Sequence, residues 1–438
     1  MYAKYLLLLL LPVIQVFADT PDIKHWQNSR GADVYFVETH ELPIIDLQII
    51  LDAGSARDAP DKKGLAMLTS SLIGEGAGGR DANAVSFEFE RLGAVFNTDV
   101  GYDSSSISLR TLSEQKKLDL ALKNLELVIG SPDFPDNAVE RQRNRMLVGI
   151  SYKQQSPSEL AGDRFFSAIY GTHPYAYPKE GTEQSVKGLS RKDVRAFYEQ
   201  YYTANNATIA IVGDINRKQA KRITDRLAGV LNRGVAPAPL PEVEVETRSN
   251  IIRIDHPSAQ THIMMGQPGM KWNDRDYFPL YVGNHILGGS GLVSILNEEI
   301  RESRGLAYSV YSYFSLMREH GPFMAGLQTR ADQASEALGL LSENITKYSQ
   351  RGPTPEQLDA AKKNITGGFP LRLDSNRDIL GYVGAIGFYK LPLDYLDTFN
   401  DNIEAVTAEM IRDALGRRIT PENMITVIVG PEQTQTEP

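Results

Sequence analysis

Cysteine is absent from all 438 residues. That removes disulfides, thiolate metal sites, a Cys nucleophile and a lipoprotein anchor. An exported fold without disulfides stands on its core alone, and a chain this long can build one, most naturally as two domains of about 200 residues. Histidine is scarce: His25, His40, His173, His256, His262, His285 and His320 are the whole set. None falls in His-x-x-Glu-His or His-Glu-x-x-His. His40-Glu41 comes nearest, but Pro43 forbids a helix interior there. Each lone His therefore reads as an ordinary hydrogen-bonded residue. No Lys/Arg cluster of nucleic-acid type appears and the net charge is -9, so no nucleic-acid partner is expected. No Gly-x-Ser-x-Gly elbow is present. Gly74-Glu75-Gly76-Ala77-Gly78-Gly79 formally fits Gly-x-Gly-x-x-Gly. It follows a helix rather than a strand, and Glu75 repels pyrophosphate, so it reads as a helix-ending turn.

Long apolar runs are also missing, with one exception. Tyr5 to Phe17 is nearly uncharged and follows Lys4, with small residues before Asp19. This predicts a secretory signal peptide over residues 1–18 and an exported, periplasmic protein with no membrane contact after cleavage. An uncleaved anchor is the rival reading, for which the run is short.

What is present is a duplicated order. Strands are expected at 32–38, 44–53, 95–100, 105–112 and 207–212, with helices at 64–73, 84–92, 116–129, 137–154, 159–170 and 191–202. After the Pro-rich stretch 231–250, the best linker, the order returns. Strands are expected at 260–266, 307–314, 322–329 and 424–429, and helices at 278–287, 292–303, 334–348, 354–367 and 410–416. Thr208-Ile209-Ala210-Ile211-Val212-Gly213 and Thr426-Val427-Ile428-Val429-Gly430 close the two halves alike, a domain's length apart. The predicted domains are 19–230 and 251–438.

Across the junction of the expected helix 292–303 and strand 307–314 runs Arg301-Glu302-Ser303-Arg304-Gly305-Leu306-Ala307-Tyr308. Gly305 is placed to end a helix, with Arg301 in its last turn. A guanidinium at a helix end and a phenol on the next strand make two donors suited to holding a developing negative charge. A surface Arg beside a half-buried Tyr is the plain alternative.

Arg301 and Tyr308, preceded by Gly288-Gly289-Ser290-Gly291, resemble the Arg/Tyr pair and glycine-containing turn of pitrilysin-like (M16) zinc peptidases. The resemblance covers nearly all of the chain after the leader. It implies an α+β fold of two homologous halves, each a mostly antiparallel sheet covered by helices, enclosing a cavity. Active relatives carry His-x-x-Glu-His on the first helix and a Glu on the later long helix, which together hold zinc and a base. Here Met67 and Ser71 stand at the histidine positions, Ser70 at the base and Val148 at the third ligand. No catalytic zinc is expected in this chain.

The resemblance then implies a non-catalytic subunit, inactive alone, of a heterodimeric exported peptidase. A partner with His-x-x-Glu-His would supply zinc, while Arg301 and Tyr308 bind the carbonyl oxygen of a peptide substrate. Gly288, Gly289, Ser290 and Gly291 are expected to admit the substrate backbone. A peptide-binding or chaperone-like module, or a scaffold like the core subunits of respiratory complexes, stands as the alternative.

Overall fold

The computed structural model describes residues 20–245 and 248–432; the expected leader, 1–18, lies outside them. Each half is built on one mixed sheet. The first contains β1 (Lys24–Gln27), β2 (Asp33–Glu38), β3 (Ile44–Leu51), β6 (Val95–Val100), β7 (Ser105–Leu112) and β8 (Ala207–Gly213). A separate small hairpin joins β4 (Gly76–Ala77) to β5 (Arg80–Asp81). The second sheet contains β9 (Asn250–Asp255), β10 (Thr261–Pro268), β11 (Ser309–Phe314), β12 (Pro322–Thr329) and β13 (Ile425–Gly430). Strand orders are β1-β2-β8-β3-β7-β6 and β11-β12-β10-β13-β9. One pair in each sheet is parallel, β2 with β8 and β13 with β9; the others are antiparallel.

The first half's helices are α1 (Leu65–Leu72), α2 (Ala82–Glu90), α3 (Gln115–Gly130), α4 (Asp136–Lys153), α5 (Pro157–Tyr170), α6 (Glu183–Lys187), α7 (Arg191–Tyr201) and α8 (Arg217–Val230). The second half has α9 (Tyr277–Asn284), α10 (Ala334–Arg351), α11 (Pro355–Gly368), α12 (Asn376–Tyr389), α13 (Tyr395–Ala405) and α14 (Ala408–Arg418). The expectation of one regular helix over 292–303 is corrected. Gly291–Val293 is a 3-10 turn and Asn297–Glu302 is π-helical.

Alternation along the strands explains the layers, because successive side chains point to opposite faces. Val34 and Phe36 of β2 join the core beneath α1, α3, α7 and α8, whereas Tyr35 and Val37 point the other way. What covers that other face is α12, a helix of the second half, through Leu380, Val383 and Ile386. The exchange is reciprocal. The second sheet's Met264, Met324, Val427 and Val429 are covered by Ala161, Phe165 and Ile169 of α5, from the first half.

Two glycines permit the close approach of α12. A Cβ at Gly387 would sit 2.6 Å from Tyr35 Cδ2, and one at Gly384 would sit 2.8 Å from Ile50 Cδ1. The stretch joining the halves is extended and pinned. Leu240 and Val243 are buried, and the carbonyls of Ala238 and Pro241 accept from Arg57 (2.7 Å) and bond His173 Nε2 (2.9 Å). A buried carboxylate completes the junction. Asp103 accepts from the Arg318 N–H (2.8 Å), the Tyr389 hydroxyl (3.1 Å) and the Tyr175 hydroxyl, and burial raises its pKa.

Candidate functional site

The helical turn ending at Glu302 is shaped by its glycines. Gly291 and Gly305 both take positive φ (64° and 63°), a region costly for residues with a Cβ. Gly305 N–H bonds Arg301 O (2.9 Å) and Leu306 N–H bonds Ile300 O (3.0 Å), closing the turn in a Schellman-like way. Beyond it Leu306 and Ala307 are buried, and Thr329 Oγ1 donates to Leu306 O (2.6 Å). The next side chain, Tyr308, is thrown outward and is 79% exposed. Arg301 lies over it, its guanidinium carbon 5.6 Å from the ring centroid, a cation–π distance. The guanidinium meets Glu302 only loosely, at 3.6 Å. Among the described residues the Tyr308 hydroxyl has no hydrogen-bond partner. The pair thus comes together with donors left over for a ligand.

The glycine turn packs against β11, the edge strand of the second sheet, and covers it at Ser312. Gly288 and Gly289 line a hollow of about 660 Å³ with Tyr277, Tyr281, His285, Tyr311 and Arg372; Arg301 and Tyr308 do not line it. Gly288 is backed by Ser312, whose Oγ and N–H occupy the place of a Cβ, and a Cβ at Gly289 would meet Asn284 Nδ2 at 2.9 Å. Asn284 and Ser312 fasten turn to strand reciprocally: Nδ2 donates to Ser312 O (3.0 Å) and Ser312 Oγ donates to Asn284 Oδ1 (2.8 Å). Ser290 N–H closes on His285 O (2.9 Å). Burial, and then Arg372 beside it, lowers the His285 pKa. The role of Asn284 escaped the sequence reading, since only the fold brings it to Ser312, 28 positions on.

In the first half, α1 carries the altered positions. Met67 and Ser71 are half-buried, and Ser70 is buried. Ser71 Oγ donates to Leu68 O within its own helix (2.9 Å), and Thr98 Oγ1 of β6 donates to Ser70 O (3.1 Å). Val148 lies on α4, which packs against α1, and is 55% exposed. A thioether, two hydroxyls spent or buried, and an isopropyl group offer zinc no ligand set. Among the described residues no three His, Asp or Glu side chains gather to hold a metal ion.

The start of α1 depends on Asp58, a residue the sequence reading passed over. Its carboxylate accepts from Gly64 N–H and Ala66 N–H, both at 2.8 Å. Burial pushes its pKa up to about 7, against the downward pull of those two N–H groups and of Lys63. The Gly74–Gly79 run is a turn after a helix, as read. Gly74, Gly78 and Gly79 have positive φ, and Gln142 and Arg141 hold the Glu75 carboxylate.

Comparison with known proteins bears on this arrangement. The family model described as "Insulinase (Peptidase family M16)" matches residues 34–183, and "Peptidase M16 inactive domain" matches residues 188–365. The crystal structure of a peptidase M16 inactive domain from Pseudomonas fluorescens is 39% identical. It superposes with a TM-score of 0.91 over 94% of this chain and 99% of that one. The non-peptidase homolog YmxG of Helicobacter pylori is 26% identical over 94% of each chain. The uncharacterized zinc protease YmxG of Bacillus subtilis is 23% identical over 93% of this chain and 98% of its own.

Proposed function

This chain belongs to peptidase family M16, as a member whose first helix lacks the zinc-binding residues, and we propose that it is the partner-dependent half of an exported peptidase. In this reading a second M16 chain, one that keeps His-x-x-Glu-His, supplies the metal and the base. Arg301 and Tyr308 grip the carbonyl oxygen of a peptide substrate as negative charge builds on it. Two preorganised donors aimed at that oxygen act in the transition state more than in the ground state.

The observation that carries the reading is the asymmetry of use. The positions for zinc are filled by groups that cannot bind it, while Tyr308 is held exposed on a buried anchor with its hydroxyl uncommitted. A purely structural role requires neither the exposure nor the guanidinium above the ring.

The test mixes the purified chain with a zinc-bearing M16 chain from the same source and follows cleavage of an unstructured peptide. Cleavage is expected from the mixture and from neither chain alone. Full activity of this chain by itself, or no gain on mixing, overturns the assignment.

A further inference from the structure

On the outer side of the first half, α8 presents Arg217, Lys218, Lys221 and Arg222, all exposed, in two adjoining rows one turn apart. Among the described residues none of the four forms an ion pair, although Arg226, one turn on, pairs with both Asp119 and Glu126. The nearest carboxylates along the chain are otherwise engaged. Asp225 accepts from Ser29 N–H and Oγ (3.3 and 3.0 Å), and Asp214 accepts from Ser113 Oγ (2.5 Å) and pairs with His40 (2.6 Å). Beneath the first row lies Trp26 on the edge strand β1. Its ring is 5.6 Å from the Arg217 guanidinium and 5.9 Å from the Lys221 ammonium, and it packs edge-on against the buried Phe36.

The helix cannot peel away to satisfy these cations, because Ala220, Ile223 and Leu227 on its other side are buried in the core. Four cations without an ion pair, two of them over an indole, stand together on a chain of net charge -9. Such a concentration of one sign is an electrostatic attractor for anions.

We infer, against the expectation of no membrane contact after cleavage, that this face docks onto the anionic phospholipid surface of a membrane. The indole supports the cationic stems from below, and their long side chains can reach headgroup phosphates. Attachment rests on charge and is therefore weak, reversible and sensitive to salt. A nucleic acid fits less well, since the strip is one helix long and the rest of the chain repels a polyanion. The inference is independent of the peptidase reading and is tested without activity.

The full chain is sedimented with phosphatidylcholine vesicles, with or without about 30% phosphatidylglycerol, at about 0.05 M and about 0.5 M salt. Partitioning at least about tenfold stronger onto the anionic vesicles is expected at low salt and is lost at high salt. Any contribution of residues 1–18 is common to the native chain and its variants, so the comparison between them isolates the strip. The variant R217Q/K218Q/K221Q/R222Q loses the difference with an unchanged melting temperature, whereas K192Q/R195Q on α7 keeps it. Equal binding to both vesicle types, or an unchanged quadruple variant, overturns the inference. So does retention on soluble polyphosphate without vesicle binding.

Discussion

In the first half, the helix Leu65–Leu72 is mostly buried, with Met67 and Ser71 half-buried; Ser71 bonds its own helix, and the Ser70 carbonyl takes Thr98. In the second half, the turn Asn297–Glu302 is π-helical, a wider winding that recurs at functional sites. Just beyond it, Tyr308 stands exposed with Arg301 above its ring. The first region offers a ligand little; the second leaves a phenol and a guanidinium at the surface, and the proposed function rests on that difference.

That contrast can be broken in graded ways. The largest effect tests whether the halves are separable at all. Phe165 belongs to the first half yet presses on the second sheet, its Cζ 2.9 Å from where a Cβ at Gly266 would be. Phe165→Ala is expected to cost about 3–5 kcal/mol. Denaturant unfolding followed separately in each half should still show one shared transition; two transitions would show the halves to be independent.

Next, Tyr308→Phe should leave stability unchanged and lower peptide cleavage by the mixed chains roughly 10²–10³-fold, or about 2.7–4 kcal/mol of barrier. Unaltered turnover would place the duty elsewhere.

Asp58→Ala should destabilise by about 1–3 kcal/mol, because two N–H groups at the start of α1 lose their acceptor. The carboxyl also imposes a pH dependence. Its pKa of about 7 in the fold lies above that of an unfolded Asp, so the folded state binds the proton more tightly. Its contribution to stability is present in acid and is lost as pH rises from about 4 through 7. Melting curves across that window should show the loss in the native chain and not in Asp58→Asn.

The smallest effect is expected at Val148 on α4, the position that the family resemblance aligns with a third zinc ligand. Val148→Ala should change stability by less than about 0.5 kcal/mol and leave mixed-chain cleavage as it was. A large loss there would mean that the first half still takes part in the chemistry.

Much of the fold was legible from apolar periodicity. The strands 95–100, 105–112 and 322–329 and the helix 334–351 stand within a few residues of where alternation and helical spacing put them. The fold class and family followed from the repeated order and from Arg301, Tyr308 and the Gly288–Gly291 turn. Helix α12 was missed for a physical reason. Gly381, Gly384 and Gly387 depress helix propensity, yet two of them are what let the helix press onto Tyr35 and Ile50. Helix α8 was missed because its crowd of charges outweighed a thin stripe of Ala220, Ile223 and Leu227. Edge strands β1 and β9 are largely exposed and carry little apolar signal. At the site, residue types and spacing predicted the Arg–Tyr pair, but not the Asn284–Ser312 fastening or the Asp58 carboxylate. Those depend on partners brought near by tertiary structure.

The exchanged helices also set a timetable. While the chain is being made, the second face of the first sheet stays bare after Gly213 has appeared, until Tyr389 follows it. At ordinary synthesis rates that delay is roughly 10–35 s. Through that interval an apolar, unfinished sheet face is exposed to aggregation unless the chain stays unfolded or is shielded.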